Sequence, residues 1–151
     1  MTYQPLISVV MNCLNGEKFV SQAIESVFAQ TYTNWEIIFL DNASVDRTDE
    51  IAQSFGKRVR YFKNFETVPL GKARNQALQR AKGELIAFLD SDDVWFPDKL
   101  LKQVPLFENR PEIGLVYSDA KLIFKDNGSE KSYFTVNRYK PLRGYIFDDL
   151  L

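Results

Sequence analysis

Short apolar runs, several rich in β-branched residues, recur along the chain at 6–11, 35–40, 59–62, 85–89 and 113–117, and each is of strand length. Most break off in polar residues: the first at Asn12-Cys13-Leu14-Asn15-Gly16, the second at Asp41-Asn42-Ala43-Ser44, the fourth at Asp90-Ser91-Asp92-Asp93, the fifth at Ser118-Asp119. Between the runs the period becomes helical. Phe19/Val20, Ala23/Ile24 and Val27/Phe28 predict a helix from Glu17 to about Gln30. Residues 46–54 predict a short second helix with acidic and hydroxyl residues in its first turn, as the macrodipole favours. Ala73, Ala77, Leu78 and Ala81 mark the buried face of a third over 71–82, with Gly83 as its C-terminal cap. Pro97 suits the first position of a fourth that runs through Leu100, Leu101 and Val104, and Pro105 ends or kinks it.

After Asp119 the pattern changes. Residues 121–124 and 131–136 bracket Asp126-Asn127-Gly128-Ser129, which predicts a β-hairpin. Residues 138–151 carry an amphipathic set in Ile146, Phe147, Leu150 and Leu151, with no capping signal behind it. The expected organisation is an α/β domain over 1–120, then the start of a second region over 121–151 that is cut short.

Strands alternating with helices predict an open, mostly parallel sheet flanked by helices. Ligands of such sheets bind beyond the carboxyl ends of the strands, and parallel strands bring all those ends to one edge. Three carboxylates within four positions at Asp90, Asp92 and Asp93 repel one another. A divalent cation relieves that repulsion, and oxygen-only ligands favour Mg2+ or Mn2+. An acidic turn ahead of the next helix would use the same residue types. Lys72, Arg74 and Asn75 fall in the first turn of the third helix, where cations oppose the dipole and invite an anion; a solvated basic turn fits equally well.

Composition narrows the chemistry. A chain of 151 residues with 45% hydrophobic and 14% aromatic residues can bury a sizeable core. Its net charge of -1, with basic residues scattered, offers nothing to nucleic acid. Cys13 is the sole cysteine and there is no histidine, which excludes an internal disulfide, a Ser-His-Asp triad, a Cys-His pair and any imidazole metal site. Neither G-x-G-x-x-G nor a Walker A sequence follows the first strand. Where a phospho-accepting aspartate would stand after that strand, the chain has Asn12. Residues 1–5 carry no apolar signal and no run is long enough for a bilayer, so the expected location is the cytoplasm or, as a peripheral protein, the inner face of the membrane.

Residues 7–15, Ala29-Gln30-Thr31-Tyr32, residues 35–44, Gly71-Lys72-Ala73-Arg74-Asn75 and residues 83–93 together resemble family 2 glycosyltransferases of the GT-A fold. The resemblance covers about the first 120 residues in consistent order. It implies transfer of a sugar, of hexosyl type and with inversion, from a nucleotide-diphosphate sugar to an acceptor hydroxyl. It further implies that Asn12, Leu14 and Asn15 line the base pocket, that Asp41 and Asn42 contact the base, and that Arg74 approaches the nucleotide. In the D-x-D-type motif Asp92 would hold Mn2+ or Mg2+ against the diphosphate. Asp90, with Ser91 beside it, would reach the ribose and the metal.

Two positions depart from the family pattern. Leu14 stands where a stacking Tyr is common, and Asn42 where a second Asp often accepts the uracil N3–H. A UDP-sugar is the first expectation for the donor, with thymidine or guanosine donors compatible with these changes. The family's catalytic base lies further along, beyond Leu151; Asp119, Asp148 and Asp149 are not assigned that role. A glycan or glycoconjugate acceptor and a place in polysaccharide biosynthesis follow from the family, and the apolar set near Ile146 predicts self-association. The rival readings are a nucleotidyltransferase, which would carry a basic glycine-rich loop after the first strand, and a non-catalytic nucleotide-sugar-binding domain.

Overall fold

The computed structural model describes residues 3–124, 126, 128–138 and 144. The chain divides into two compact units, Met1–Ile113 and Gly114–Leu151. The first contains β1 (Ile7–Cys13), α1 (Val20–Phe28), β2 (Trp35–Asp41), α2 (Thr48–Ser54), β3 (Val59–Lys63), α3 (Leu70–Leu78), β4 (Leu85–Phe88) and α4 (Lys99–Gln103). A 3-10 turn at Val104–Phe107 continues α4, with Pro105 near its start. The four strands form one parallel sheet in the order β3-β2-β1-β4. No helix among the described residues is long and apolar enough to cross a membrane.

β1 and β2 are buried on both faces because helices cover both. Ile7, Val9, Met11, Ile37 and Phe39 pack with Val20, Ala23, Ile24 and Val27 of α1, Ala52 of α2, and Leu100 and Val104. On the other face Val10, Ile38 and Leu40 meet Ala73 and Ala77 of α3. Small side chains at 73 and 77 let that helix lie close to the sheet.

β4 departs from the expectation of a strand buried on both faces. It is an edge strand, and Ile86 and Phe88 are 40% and 52% exposed. Gly83 does not cap α3, which ends at Leu78. It lies instead against the start of β1. A Cβ there would stand 2.4 Å from Ser8 N, 2.7 Å from Leu6 O and 2.9 Å from Leu85 O. That closeness lets Gly83 N donate to Ser8 Oγ at 2.8 Å while Lys82 N donates to Glu36 Oε1 at 2.9 Å. Ser8 Oγ donates to the same Glu36 oxygen at 2.7 Å, and Arg60 pairs with Oε2 at 2.9 Å. Burial pushes the Glu36 carboxyl up, but these hydrogen bonds and the Arg60 charge bring it below its ordinary value.

The expected fifth strand over 113–117 does not form; residues 113–120 hold no regular structure. A strand exists only through the ladder it shares with a neighbour, so its apolar pattern alone was insufficient. In the second unit β5 (Lys121–Ile123) pairs antiparallel with β6 (Glu130–Ser132), the expected hairpin. Its second arm is shorter than the predicted 131–136, because Ser132 accepts from Thr135 N at 3.2 Å and starts α5 (Tyr133–Asn137). Asp119 holds this corner, accepting from Ala120 N, Ser132 Oγ and Phe134 N at 2.8, 2.5 and 3.1 Å. Asn127 and the terminal set Ile146, Phe147, Asp148, Asp149, Leu150 and Leu151 lie outside the described residues.

Candidate functional site

The loops that leave β1 and β2 are laced together. Asn15 sits in the left-handed region (φ 54°), which Asn tolerates because its short side chain bonds locally. Its N–H donates to Ser44 Oγ at 2.9 Å, and its Oδ1 accepts from Val45 N at 2.9 Å. Gly16 N donates to Thr48 Oγ1 at 2.9 Å and Glu17 N to Asp46 Oδ2 at 3.0 Å. Thr48 donates from both its N–H and its hydroxyl to Asp46 Oδ1, at 3.0 and 2.5 Å. Burial pushes the Asp46 carboxyl up, yet these donors hold it below the usual carboxylate range. A Cβ on Gly16 would lie 2.2 Å from Cys13 Sγ, so a larger residue there would have to displace the buried Cys13 side chain. Ser44, Asp46 and Thr48 were missed as site-building residues. The alternation of a hydroxyl, an acid and a hydroxyl after β2 was their signal.

Asn12 is half-buried and its Nδ2 has no partner among the described residues, while Leu14 is 47% exposed. Asp41 is fully buried. Its Oδ1 accepts from Ser44 N at 2.7 Å and its Oδ2 from Tyr61 Oη at 2.7 Å, with Lys63 Nζ at 3.6 Å. Burial, the hydrogen bond to Asp41 and the charge of Asp41 all push the Tyr61 hydroxyl far up, so it stays a donor. Asn42 is buried as well and clasps Val68: Nδ2 donates to Val68 O at 2.8 Å and Oδ1 accepts from Val68 N at 3.1 Å. Asn64 Nδ2 also donates to Asn42 Oδ1, at 3.0 Å, and to Gln76 Oε1, at 3.0 Å.

Beyond β4 the chain turns at once, Asp93 N donating to Asp90 O at 3.1 Å. Arg74, reaching across from α3, pairs with Asp90 through Nη2 and Oδ1 at 2.7 Å. Together with Phe88, Leu89, Asp93 and Trp95 they line a cleft of about 290 Å³. Burial pushes the Asp93 carboxyl up, and the charges of Asp92 and Asp90 add to the effect. Asp92 is exposed and has no hydrogen bond or ion pair among the described residues. Ser91 lies beside the β1 loop, its Oγ 3.7 Å from where a Cβ on Gly16 would stand, and burial pushes the Cys13 thiol up. The structure therefore gathers Arg74 and Asp90 at one cleft, with Ser91 close to the β1 loop. Asp41, Asn42 and Asn15 are occupied in holding loops together.

The donor set suits a hard cation. No group of three metal-ligating side chains converges among the described residues. A free Asp92 beside a partly neutralised Asp90 offers the one or two carboxylates that Mg2+ or Mn2+ needs when substrate phosphates complete its shell.

The family model described as Glycosyl transferase family 2 matches residues 8–147. An uncharacterized glycosyltransferase of Rickettsia typhi, RT0329, is 37% identical over 99% of this chain and 45% of its own length. The Escherichia coli UDP-Glc:alpha-D-GlcNAc-diphosphoundecaprenol beta-1,3-glucosyltransferase WfgD is 36% identical over 78% of the chain and 47% of its own. The chain spans about half the length of these curated relatives. Among solved structures, residues 1–349 of S. aureus TarS in complex with UDP-GlcNAc match 70% of this chain and 32% of that one, at 25% identity and a TM-score of 0.66. The mannosyltransferase PcManGT from Pyrobaculum calidifontis, in complex with GDP-Man and Mn2+, shares the fold at 24% identity and a TM-score of 0.62, over 66% of this chain and 31% of that one.

Proposed function

The chain belongs to glycosyl transferase family 2, and on that premise we propose that it is the donor-binding part of an inverting glycosyltransferase that transfers a hexosyl group from a nucleotide-diphosphate sugar. Residues 1–120 hold the donor and 121–151 lead toward the acceptor side. The observation that carries this reading is the cleft at the end of β4, where Arg74 and Asp90 meet beside an unpaired Asp92. Asn12, Leu14, Asn15, Asp41 and Asn42 border the base, directly or through the loops they fasten. Arg74, Asp90 and Ser91 adjoin the ribose and diphosphate.

Asp92 and Asp90 are the residues that would hold Mn2+ or Mg2+. When bound, the cation supplies neutralisation of the departing nucleoside diphosphate. Arg74 contributes a fixed positive charge at the same place, and Asp90 orients that guanidinium until the donor arrives. Deprotonation of the acceptor hydroxyl needs a carboxylate base. Asp119 is not that base, because its oxygens are taken by Ala120, Ser132 and Phe134.

A UDP-sugar donor and a glycan acceptor are favoured by the names of WfgD and TarS. The diphosphoundecaprenol-linked acceptor in the name of WfgD favours a role in polysaccharide biosynthesis, and a cytoplasmic place, or a peripheral one at the inner face of the membrane, is part of the same proposal. The test is calorimetric titration with UDP, GDP and dTDP, with and without Mn2+, on the wild type and Asp92→Ala. Metal-dependent binding of one nucleotide, lost in Asp92→Ala, is the expected result; binding of none overturns the reading.

A further inference from the structure

Gln30 follows α1, is 5% exposed and spends its side-chain amide on backbone groups. Nε2 donates to Ser26 O at 3.1 Å and, across the fold, to Phe96 O at 2.7 Å. Oε1 accepts from Leu100 N at 3.0 Å. The two ends of a side-chain amide are usually assigned by choice. Here all three partners are main-chain groups of fixed polarity, and a flipped amide would set its oxygen against two carbonyls. Next in the chain, Thr31 donates to Pro97 O from its N–H at 2.9 Å and from its hydroxyl at 3.2 Å.

These bonds do for α4 what its own first turn does not. The first N–H groups of a helix lack partners within it, and a side chain at the cap position normally takes one. Asp98 stands at that position, makes no capping bond and pairs instead with Lys102. Gln30 Oε1 takes the Leu100 N–H in its place, from 70 positions away. The consequence reaches the acidic turn. At its near end Leu89 N is fixed to Val10 O at 3.1 Å; at its far end Phe96 O and Pro97 O are fixed to residues 30 and 31. Residues 90–95 are slung between these two holds, with Asp93 N bonded to Asp90 O, Arg74 paired with Asp90 and Trp95 packed against the core. Asp92 has no tie of its own among the described residues, so the course of the backbone sets where its carboxylate can reach.

We propose that Gln30, assisted by Thr31, is a positioning residue for Asp92: it fixes the far end of the acidic turn and thereby sets how well the donor site holds its divalent cation. This rests on the proposed function, in which Asp92 and Asp90 take Mn2+ or Mg2+. Removing a group that supports a metal ligand commonly costs about 10–100-fold in metal affinity. Gln30 acts through the main chain and not on the carboxylate itself, so an effect at the lower end of that range, about tenfold, is expected.

The test compares wild type with Gln30→Met, which keeps the length of the side chain and removes its three bonds, and with Thr31→Val, an exposed change that removes only the hydroxyl bond. Val59→Ala is the control: it destabilises β3, at the opposite edge of the sheet from β4. Calorimetric titration with UDP, GDP and dTDP over a series of Mn2+ concentrations gives the Mn2+ requirement for nucleotide binding. It is run where circular dichroism shows each protein folded. Hydrogen exchange without ligand reads the amides of Asp93 and Leu100 against those of β1. Gln30→Met should raise the Mn2+ requirement about tenfold and Thr31→Val about twofold, while Val59→Ala leaves it unchanged. In Gln30→Met exchange should quicken at Leu100 and Asp93 and not in β1. A folded Gln30→Met whose Mn2+ requirement rises no more than that of Val59→Ala overturns the inference alone, as does unchanged exchange at Asp93. If Gln30→Met does not fold, Thr31→Val decides, and an unmoved requirement there overturns it. A wild type that binds none of the three nucleotides, or binds without regard to Mn2+, overturns the proposed function and this inference together.

Discussion

Gly83→Ala is the substitution expected to damage the fold most for its size. The added methyl would meet Ser8 N, Leu6 O and Leu85 O at 2.4, 2.7 and 2.9 Å, all of them backbone atoms of paired strands or of the residues entering them. No rotamer change can make room, so the 82–85 segment must move away from β1. Overpacking of this kind costs about 1–3 kcal/mol. The movement also breaks the Gly83 N–H bond to Ser8 Oγ and stretches Lys82 N to Glu36 and Leu85 N to Leu6 O. At about 1 kcal/mol for the bond lost, the total is about 2–4 kcal/mol, a large share of a typical domain's stability. Urea unfolding followed by tryptophan fluorescence would show a much lower midpoint. Because β4 leads straight into Asp90 and Asp92, nucleotide binding should weaken in parallel. A variant within about 1 kcal/mol of wild type would refute the claim that the close approach is rigid.

Two further substitutions probe the networks that support the sheet and its loops. Glu36→Gln removes the charge facing Arg60 and should destabilise by about 2 kcal/mol near neutral pH. The Glu36 carboxyl lies below its ordinary value when folded, so its stabilisation is complete above the ordinary carboxylate range and is lost as pH falls through the lowered value. The gap between wild type and Glu36→Gln should therefore close in acid; a gap that is constant from pH 7 to about pH 3 would contradict this. Thr48→Val keeps the shape of a fully buried side chain but strands Gly16 N–H and removes a donor from Asp46. It should cost about 2–3 kcal/mol in urea unfolding, and an unchanged midpoint would show that the lacing of the two loops is not structural.

The central strands were legible in the sequence because burial on both faces leaves an unbroken apolar run, as at 6–11 and 35–40. The same run at 85–89 was misleading. An edge strand with one open face has no different pattern when its exposed residues are Ile86 and Phe88. Gly83 read as a helix cap since it follows a helical segment, whereas its reason for being glycine is the backbone of residues 6–8, some seventy-five positions away. At 113–117 the apolar pattern had no partner strand to act on, and at 131–136 the capping bond of Ser132 overrode it. Arg74 and the acids at 90–93 were legible from charge alone, and the structure unites Arg74 with Asp90. The burial of Asp41 and the clasp of Asn42 were not, because a polar residue at a strand end reads the same whether it faces solvent or folds back onto a neighbouring loop.

The sheet is also unequal in how firmly it holds its members. β1 is flanked on both sides and matched with β2 at seven positions, while β4 is matched with β1 at four and, among the described residues, has a neighbour on one side only. Amides of β1 reach solvent only when the sheet comes apart, but β4 can detach alone, at a lower opening free energy. The acidic cluster thus follows the strand with the fewest paired positions in the sheet, tied back by the Arg74–Asp90 pair. Local opening there would change the spacing of Asp90 and Asp92 from α3 without disturbing the pairing of β1 with β2, so the acids would shift while the core keeps its register.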